Sequence, residues 1–161
     1  MSVPHDSAYH LDGFTVEVWV KVHDAGDSTE WRTLVKKGDG PADRTFALRL
    51  LPSSVARLRM TMGTPEGVYL DGESVRDLEL ERWHHLVLAH PAGGPVALYV
   101  DGELAARSAG SGVPASNAEP VIAGPSGSAT KVAIDELAIY RRALGADEVR
   151  AHFRAGLDDL P

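Results

Sequence analysis

The chain has no cysteine, which removes disulfides, thiol nucleophiles and thiolate-built zinc sites and leaves the redox compartment open. Basic charge is also in short supply: 16 lysines and arginines stand against 23 aspartates and glutamates, a formal charge of −7. A nucleic-acid-binding surface normally declares itself as a basic excess, so no nucleic-acid partner is expected. No apolar run approaches the roughly 20 residues that span a bilayer. The start, MSVPHDSAYHLDG, has neither the basic nor the apolar region of a signal peptide. The expectation is a cytoplasmic protein with no membrane partner, or an extracellular one if the chain is a module excised from a larger exported protein. Neither a repeat nor a linker breaks residues 1–161, so a single domain is expected. Aromatic residues are few, with three tryptophans in all, and each tryptophan therefore needs a reason.

What is present is a train of short alternating segments separated by Gly, Pro, Asp and Ser, the pattern of an antiparallel sandwich or barrel. FTVEVWVKV places Phe14, Val16, Val18, Val20 and Val22 on one face and Thr15, Glu17, Trp19 and Lys21 on the other. FALRL and RLRMTM point Phe46, Leu48, Leu50, Leu58, Met60 and Met62 inward, with Arg49, Arg57, Arg59 and Thr61 outward. Leu86, Leu88, Val96, Leu98, Val100, Leu137 and Ile139 continue the core in later segments. Asp101-Gly102 predicts a tight hairpin, and Asp71-Gly72 a second one. GDGPADR and SAGSGVPASNAEP read as surface loops. Helical spacing occurs only in ADEVRAHFRAG, with Val149 and Phe153 four apart, acids in the first turn and Gly156 as the stop.

FTVEVWVKV, LVKKGDG, FALRL, ERWHHLVLAH, VALYVDGELAA, PVIAG and AIDELAIYRRALGADEV, in that order and over nearly the whole chain, resemble the LamG-like jelly-roll family of the concanavalin A-like superfamily. The resemblance implies an all-β fold, two antiparallel sheets in a jelly-roll sandwich, closed here by one short C-terminal helix. It also implies recognition of sugars or protein ligands and, often, a structural calcium at the rim. Two departures stand out. Only thirteen residues precede Phe14, so the family's first strand is absent or replaced. Trp31 sits just before a strand, where the family shows no such preference.

Trp83, His84 and His85 match a family block, which gives them a structural reading: Trp83 packs and one histidine bonds to a turn. Adjacent histidines on a strand point to opposite faces and cannot chelate one metal. His85 shares parity with Trp83 and is expected on an outer sheet face. The outward set of Glu17, Trp19, Arg49, Arg57, Arg59, His85, Tyr99 and Glu136 reads either as cross-strand salt bridges or as a functional surface. Alternating parity does not say which of them share a sheet. For calcium, which needs six to eight oxygens, Asp135 matches the family position nearest a rim site, and Asp39 or Asp43 could contribute. The same acids are equally ordinary turn formers. The paired acids of related sandwich glycosidases, Glu-x-Asp-x-x-Glu on one strand, do not occur, and a glycosidase is not expected.

Two functions stay open, beside the blander option of a protein-interaction module within an assembly. One is a lectin-like binding module that recognises a glycan or other polar ligand through Trp31, Arg49, Arg57, Arg59, Tyr69 and Tyr99. The other is a small enzyme, an isomerase or cyclase acting on a metabolite, with His85 or Glu17 as general base and an arginine stabilising a developing anion. No cofactor beyond a structural calcium is called for. The edge left by an absent first strand points either to residues 2–11 folding back on their own sheet or to a symmetric homodimer.

Overall fold

Period-two alternation builds two layers, and one amphipathic helix covers what the alternation leaves open. The computed structural model describes residues 1–7, 12–24, 29–52, 55–124 and 131–158. Its elements in chain order are β1 (Ser2–Val3), β2 (Phe14–Asp24), β3 (Arg32–Lys37), β4 (Phe46–Leu50), β5 (Arg57–Gly63), β6 (Tyr69–Asp77), β7 (Trp83–His90), β8 (Ala97–Val100), β9 (Glu103–Arg107), β10 (Val121–Ala123), β11 (Lys131–Tyr140) and α1 (Ala146–Leu157). One sheet runs β1-β10-β3-β4-β5-β6 and the other β11-β2-β7-β8-β9. Every strand pair is antiparallel. This is the jelly-roll-like sandwich with one short C-terminal helix that the sequence predicts.

The inner faces meet as expected. Phe14, Val18, Val20, Leu50, Leu58, Met60, Met62, Leu86 and Leu98 are completely buried in one cluster. Val100, Leu137 and Ile139 pack against its margin. The outer face of the five-stranded sheet departs from expectation, because it is not solvated. Val87, Ala89, Ala97 and Tyr99 form a second cluster with Leu144 and Val149 beneath α1. The helix carries Val149, His152, Phe153 and Gly156 at helical spacing on one stripe. Phe153 stacks on Trp19, with centroids 5.9 Å apart. Gly156 does not end the helix, which runs on to Leu157. A Cβ at Gly156 would lie 2.5 Å from the Trp19 indole, so the glycine is where the helix touches down.

The two Asp-Gly dipeptides part company. Asp101 and Gly102 have φ of 52° and 80°, the left-handed pair that a two-residue hairpin between β8 and β9 demands. Asp71 and Gly72 form no turn: they pair with Thr61 and Met60 inside β6. A side chain at Gly72 would collide with Met60 and the Arg107 carbonyl, so this glycine serves close packing. The turn lies earlier, where the Thr64 N–H donates to the Val68 carbonyl and Gly67 has a φ of 77°.

The N-terminus supplies the missing edge strand in miniature. Ser2 and Val3 pair with Ile122 and Val121, and the Met1 amine donates to the Ala123 carbonyl at 2.7 Å. Two residues thus cover the β10 edge from within the chain. Residues 8–11 of the expected fold-back lie outside the described residues. Lys37, fully buried, ties this corner together by donating to the Asn117 carbonyl at 3.2 Å and the Glu119 carbonyl at 2.5 Å.

Candidate functional site

His84 and His85 point to opposite faces, as alternation requires. The Glu79 N–H donates to His84 Nε2 at 3.1 Å, so Nδ1 carries the proton toward Asp101 Oδ2, 2.8 Å away. Asp101 Oδ1 also accepts the His85 N–H at 3.0 Å. Burial would raise the Asp101 carboxyl, but these bonds hold it below its ordinary value. His84 is thus the histidine bonded to a turn, bracing the β8–β9 hairpin. Trp83 is only partly buried, less than its structural reading implies.

His85 is not on an open face. It is completely buried, 5.0 Å from the Trp19 ring and 6.1 Å from Phe153 of α1. Its Nε2 lies 2.6 Å from Glu17 Oε1, and His152 Nδ1 lies 3.0 Å from Glu17 Oε2. Burial alone would raise the Glu17 carboxyl, yet the hydrogen bonds from His85 and His152 outweigh it and hold the pKa at about 2. A carboxylate held so low is a fixed anion and a feeble base. His85 spends its Nε2 on that anion and reaches no solvent. Glu17 and His85, the alternative general bases of the enzyme reading, are in the fold joined to each other and, through His152, form an anchor for the helix.

A cavity of about 260 Å³ does open beside this anchor, lined by Glu17, Tyr140, His152, Asp135 and Glu136. Regular alternation would turn Asp135 and Glu136 to opposite faces, but the register shift between Asp135 and Ala138 and the φ of 51° at Glu136 break it. Asp135 Oδ1 accepts the Glu136 N–H at 2.9 Å. Asp135 stands on the five-stranded sheet, whereas Asp39 and Asp43 follow β3 of the other sheet. Among the described residues no group of three or more His, Cys, Asp or Glu is placed to hold a metal ion.

The ligand-binding candidates behave differently. Four of the six, Trp31, Arg49, Arg59 and Tyr69, line a single cavity of about 260 Å³ on the outer face of the six-stranded sheet. Arg44, Thr61 and Asp71 complete its wall. The register explains the convergence: Arg49 lies directly opposite Arg59, Thr61 opposite Asp71, and Gly63 opposite Tyr69. Arg59 donates to Glu73 Oε1 at 2.6 Å and to Asp71, and its guanidinium lies 5.4 Å from the centre of the Trp31 ring. Arg44 is buried, donates to the Asp39 carbonyl, and sits 4.9 Å from the centre of the Tyr69 ring. Both rings stay open to solvent, Trp31 at 38% and Tyr69 at 39%. Arg49 has no hydrogen bond or ion pair among the described residues, and its Nε is buried without a partner. Burial, followed by repulsion from Arg44, pulls the Arg49 guanidinium below its ordinary pKa.

Two candidates fall elsewhere. Arg57 is on the same sheet but is taken up by Asp77, 2.8 Å away. Tyr99 is 7% exposed in the cluster under α1, because the helix covers the face that parity left open. Sequence reasoning missed Arg44, which lies in a segment read as a surface loop and carries no parity. It also missed His152, although the Val149–His152–Phe153–Gly156 stripe was there to be read. A larger cavity of about 550 Å³ lies between β6 and β9, lined in part by Val75, Arg76, Leu104 and His84; it holds none of the ligand candidates.

Comparison with known proteins follows the architecture. No curated protein matches the sequence. Among solved structures, the binding domain of Paraclostridial Mosquitocidal Protein 1 superposes with a TM-score of 0.76 at 19% identity, covering 98% of this chain and 41% of that one. The binding domain of botulinum neurotoxin DC in complex with rat synaptotagmin II gives 0.72 at 11% identity over 92% of this chain and 37% of that one. The same domain in complex with SialylT gives 0.71 at 11% identity, over 92% and 36%. The chain therefore spans about two fifths of these structures, and at such identities the likeness is one of fold. The family model of the concanavalin A-like lectin/glucanases superfamily matches residues 1–150. With that match and this sandwich, the chain belongs to the concanavalin A-like lectin/glucanase superfamily.

Proposed function

We propose that the chain is a lectin-like binding module that takes a saccharide on the outer face of its six-stranded sheet, at the cavity between Trp31, Arg49 and Tyr69. The observation that carries this reading is the convergence of two half-exposed rings and an unpaired guanidinium on one small cavity. Rings offer stacking surface to the apolar faces of sugars, and arginine offers directed donors to their oxygens. The fold neighbours lend support, since one botulinum binding domain was solved in complex with SialylT and with synaptotagmin II.

The test is a glycan array probed with the parent protein and with Trp31→Ala and Tyr69→Ala. Both side chains are half-exposed, so the variants should melt within about 0.5 kcal/mol of the parent in stability while losing the glycan signal. A parent that binds no glycan, or variants that bind as the parent does, would overturn the proposal.

A further inference from the structure

The same cavity says what kind of group the ligand carries, an argument that rests on the saccharide reading just given. Arg49 and Arg59 face each other directly across β4 and β5, and like charges in that position destabilise a sheet. Arg59 is relieved by Asp71 and Glu73. Arg49 is not relieved: it has no ion pair among the described residues, and the carboxylate of Asp39, which favours its charge from a distance, is engaged by Lys36. The Nε atoms of both Arg49 and Arg44 are buried with no acceptor. The cavity wall therefore holds three guanidinium groups and one carboxylate in a chain whose formal charge is −7. A local excess of this kind breaks the rule that buried donors are satisfied and like charges kept apart. An oxygen anion against Arg49 and Arg44 would answer both faults, since a guanidinium binds carboxylate and sulfate oxygens in a two-pronged fashion.

We infer that the ligand is an acidic saccharide, and that its carboxylate or sulfate ester sits against Arg49, between Arg44 and Arg59, with Trp31 and Tyr69 flanking the ring. The cavity of about 260 Å³ falls below the ~300–1,000 Å³ that engulf drug-sized ligands. It accepts a single terminal sugar residue.

The experiment follows the arginine Nε–Hε signals of the ¹⁵N-labelled protein while N-acetylneuraminic acid, glucuronic acid, galactose 6-sulfate, galactose and inorganic sulfate are added in turn. Arg57, paired with Asp77 outside the cavity, is the internal reference. The acidic sugars should move the Arg49 signal saturably and leave that of Arg57 in place, galactose should move neither, and Arg49→Gln should weaken binding of the acidic sugars roughly tenfold or more. The carboxylate and sulfate arms tell which anion is preferred. Arg49→Gln should melt no lower than the parent, since it relieves the opposed pair. Galactose binding as well as the acidic sugars would overturn the anion and keep the saccharide module. Inorganic sulfate matching the acidic sugars would keep the anion seat and overturn the sugar. Acidic sugars that leave Arg49 unmoved, while the array still reports glycans, would overturn this inference alone.

Discussion

Below pH 4.5 the buried carboxylate of Glu17 helps separate the folded from the unfolded chain. Glu17 titrates at about 2 in the fold against an ordinary 4.5, a gap worth roughly 3 kcal/mol at neutral pH. Because the folded pKa is the lower one, this stability is fully present above pH 4.5 and drains away as the pH falls toward 2. Glu17→Gln keeps the size of the side chain and removes the titration. Urea denaturation across this window should show the parent losing stability with acid more steeply than the variant, and the variant less stable at pH 7. Parallel curves would mean that the carboxylate is not held by His85 and His152. That these three residues meet was half legible in sequence. Glu17 and His85 shared an outward parity, whereas His152 comes from a helix that parity does not address.

Docking of α1 decides the character of the five-stranded sheet. Capping at its start is local: the Glu148 carboxylate accepts the Gly145 N–H at 2.9 Å and is gripped by Arg142 at 2.7 and 2.9 Å. Position on the sheet comes from Val149 in its apolar cluster, Phe153 on Trp19 and His85, and the missing side chain at Gly156. Phe153→Ala removes the stacked ring from a partly buried site and should cost about 2–3 kcal/mol, below the ~3–5 kcal/mol of fully buried core aromatics. Uncovered indole at Trp19 should shift the tryptophan emission to the red. Unchanged stability and emission would show that the helix is held elsewhere. The hairpins teach the companion lesson: both Asp-Gly pairs carried a turn signal, but only Asp101-Gly102 takes the left-handed conformation of a turn, whereas Asp71-Gly72 is paired within β6.

At the scale of the whole molecule, the acids that the sequence offers to a rim calcium are divided between the two sheets. Asp135 is exposed on one sheet, the acids after β3 belong to the other, and a calcium site needs six to eight oxygens in one place. A chelator should therefore leave the melting temperature unchanged, and added calcium should not raise it. A loss of several degrees on chelation, restored by calcium, would reinstate a structural ion, because a ligand of the folded state alone stabilises by mass action. The edge next to β10 is likewise handled within the chain, by Met1 to Val3, two ladder positions where a full strand was expected to be missing.

Period-two alternation is a local property, and the sequence by itself determined what depends on it: the strands, their inner faces, the Asp101-Gly102 hairpin, and the opposite orientations of His84 and His85. Ligand candidates such as Arg49 and Arg59 were legible for the same reason, as charges on the outer face of apolar strands. Strand order and the covering of faces are long-range properties, set by which surfaces meet. Only the tertiary structure put Trp31, Arg44, Arg49, Arg59 and Tyr69 around one cavity and sent Tyr99 and His85 under a helix. Parity tells a side chain which way to point, but what stands there depends on residues far along the chain.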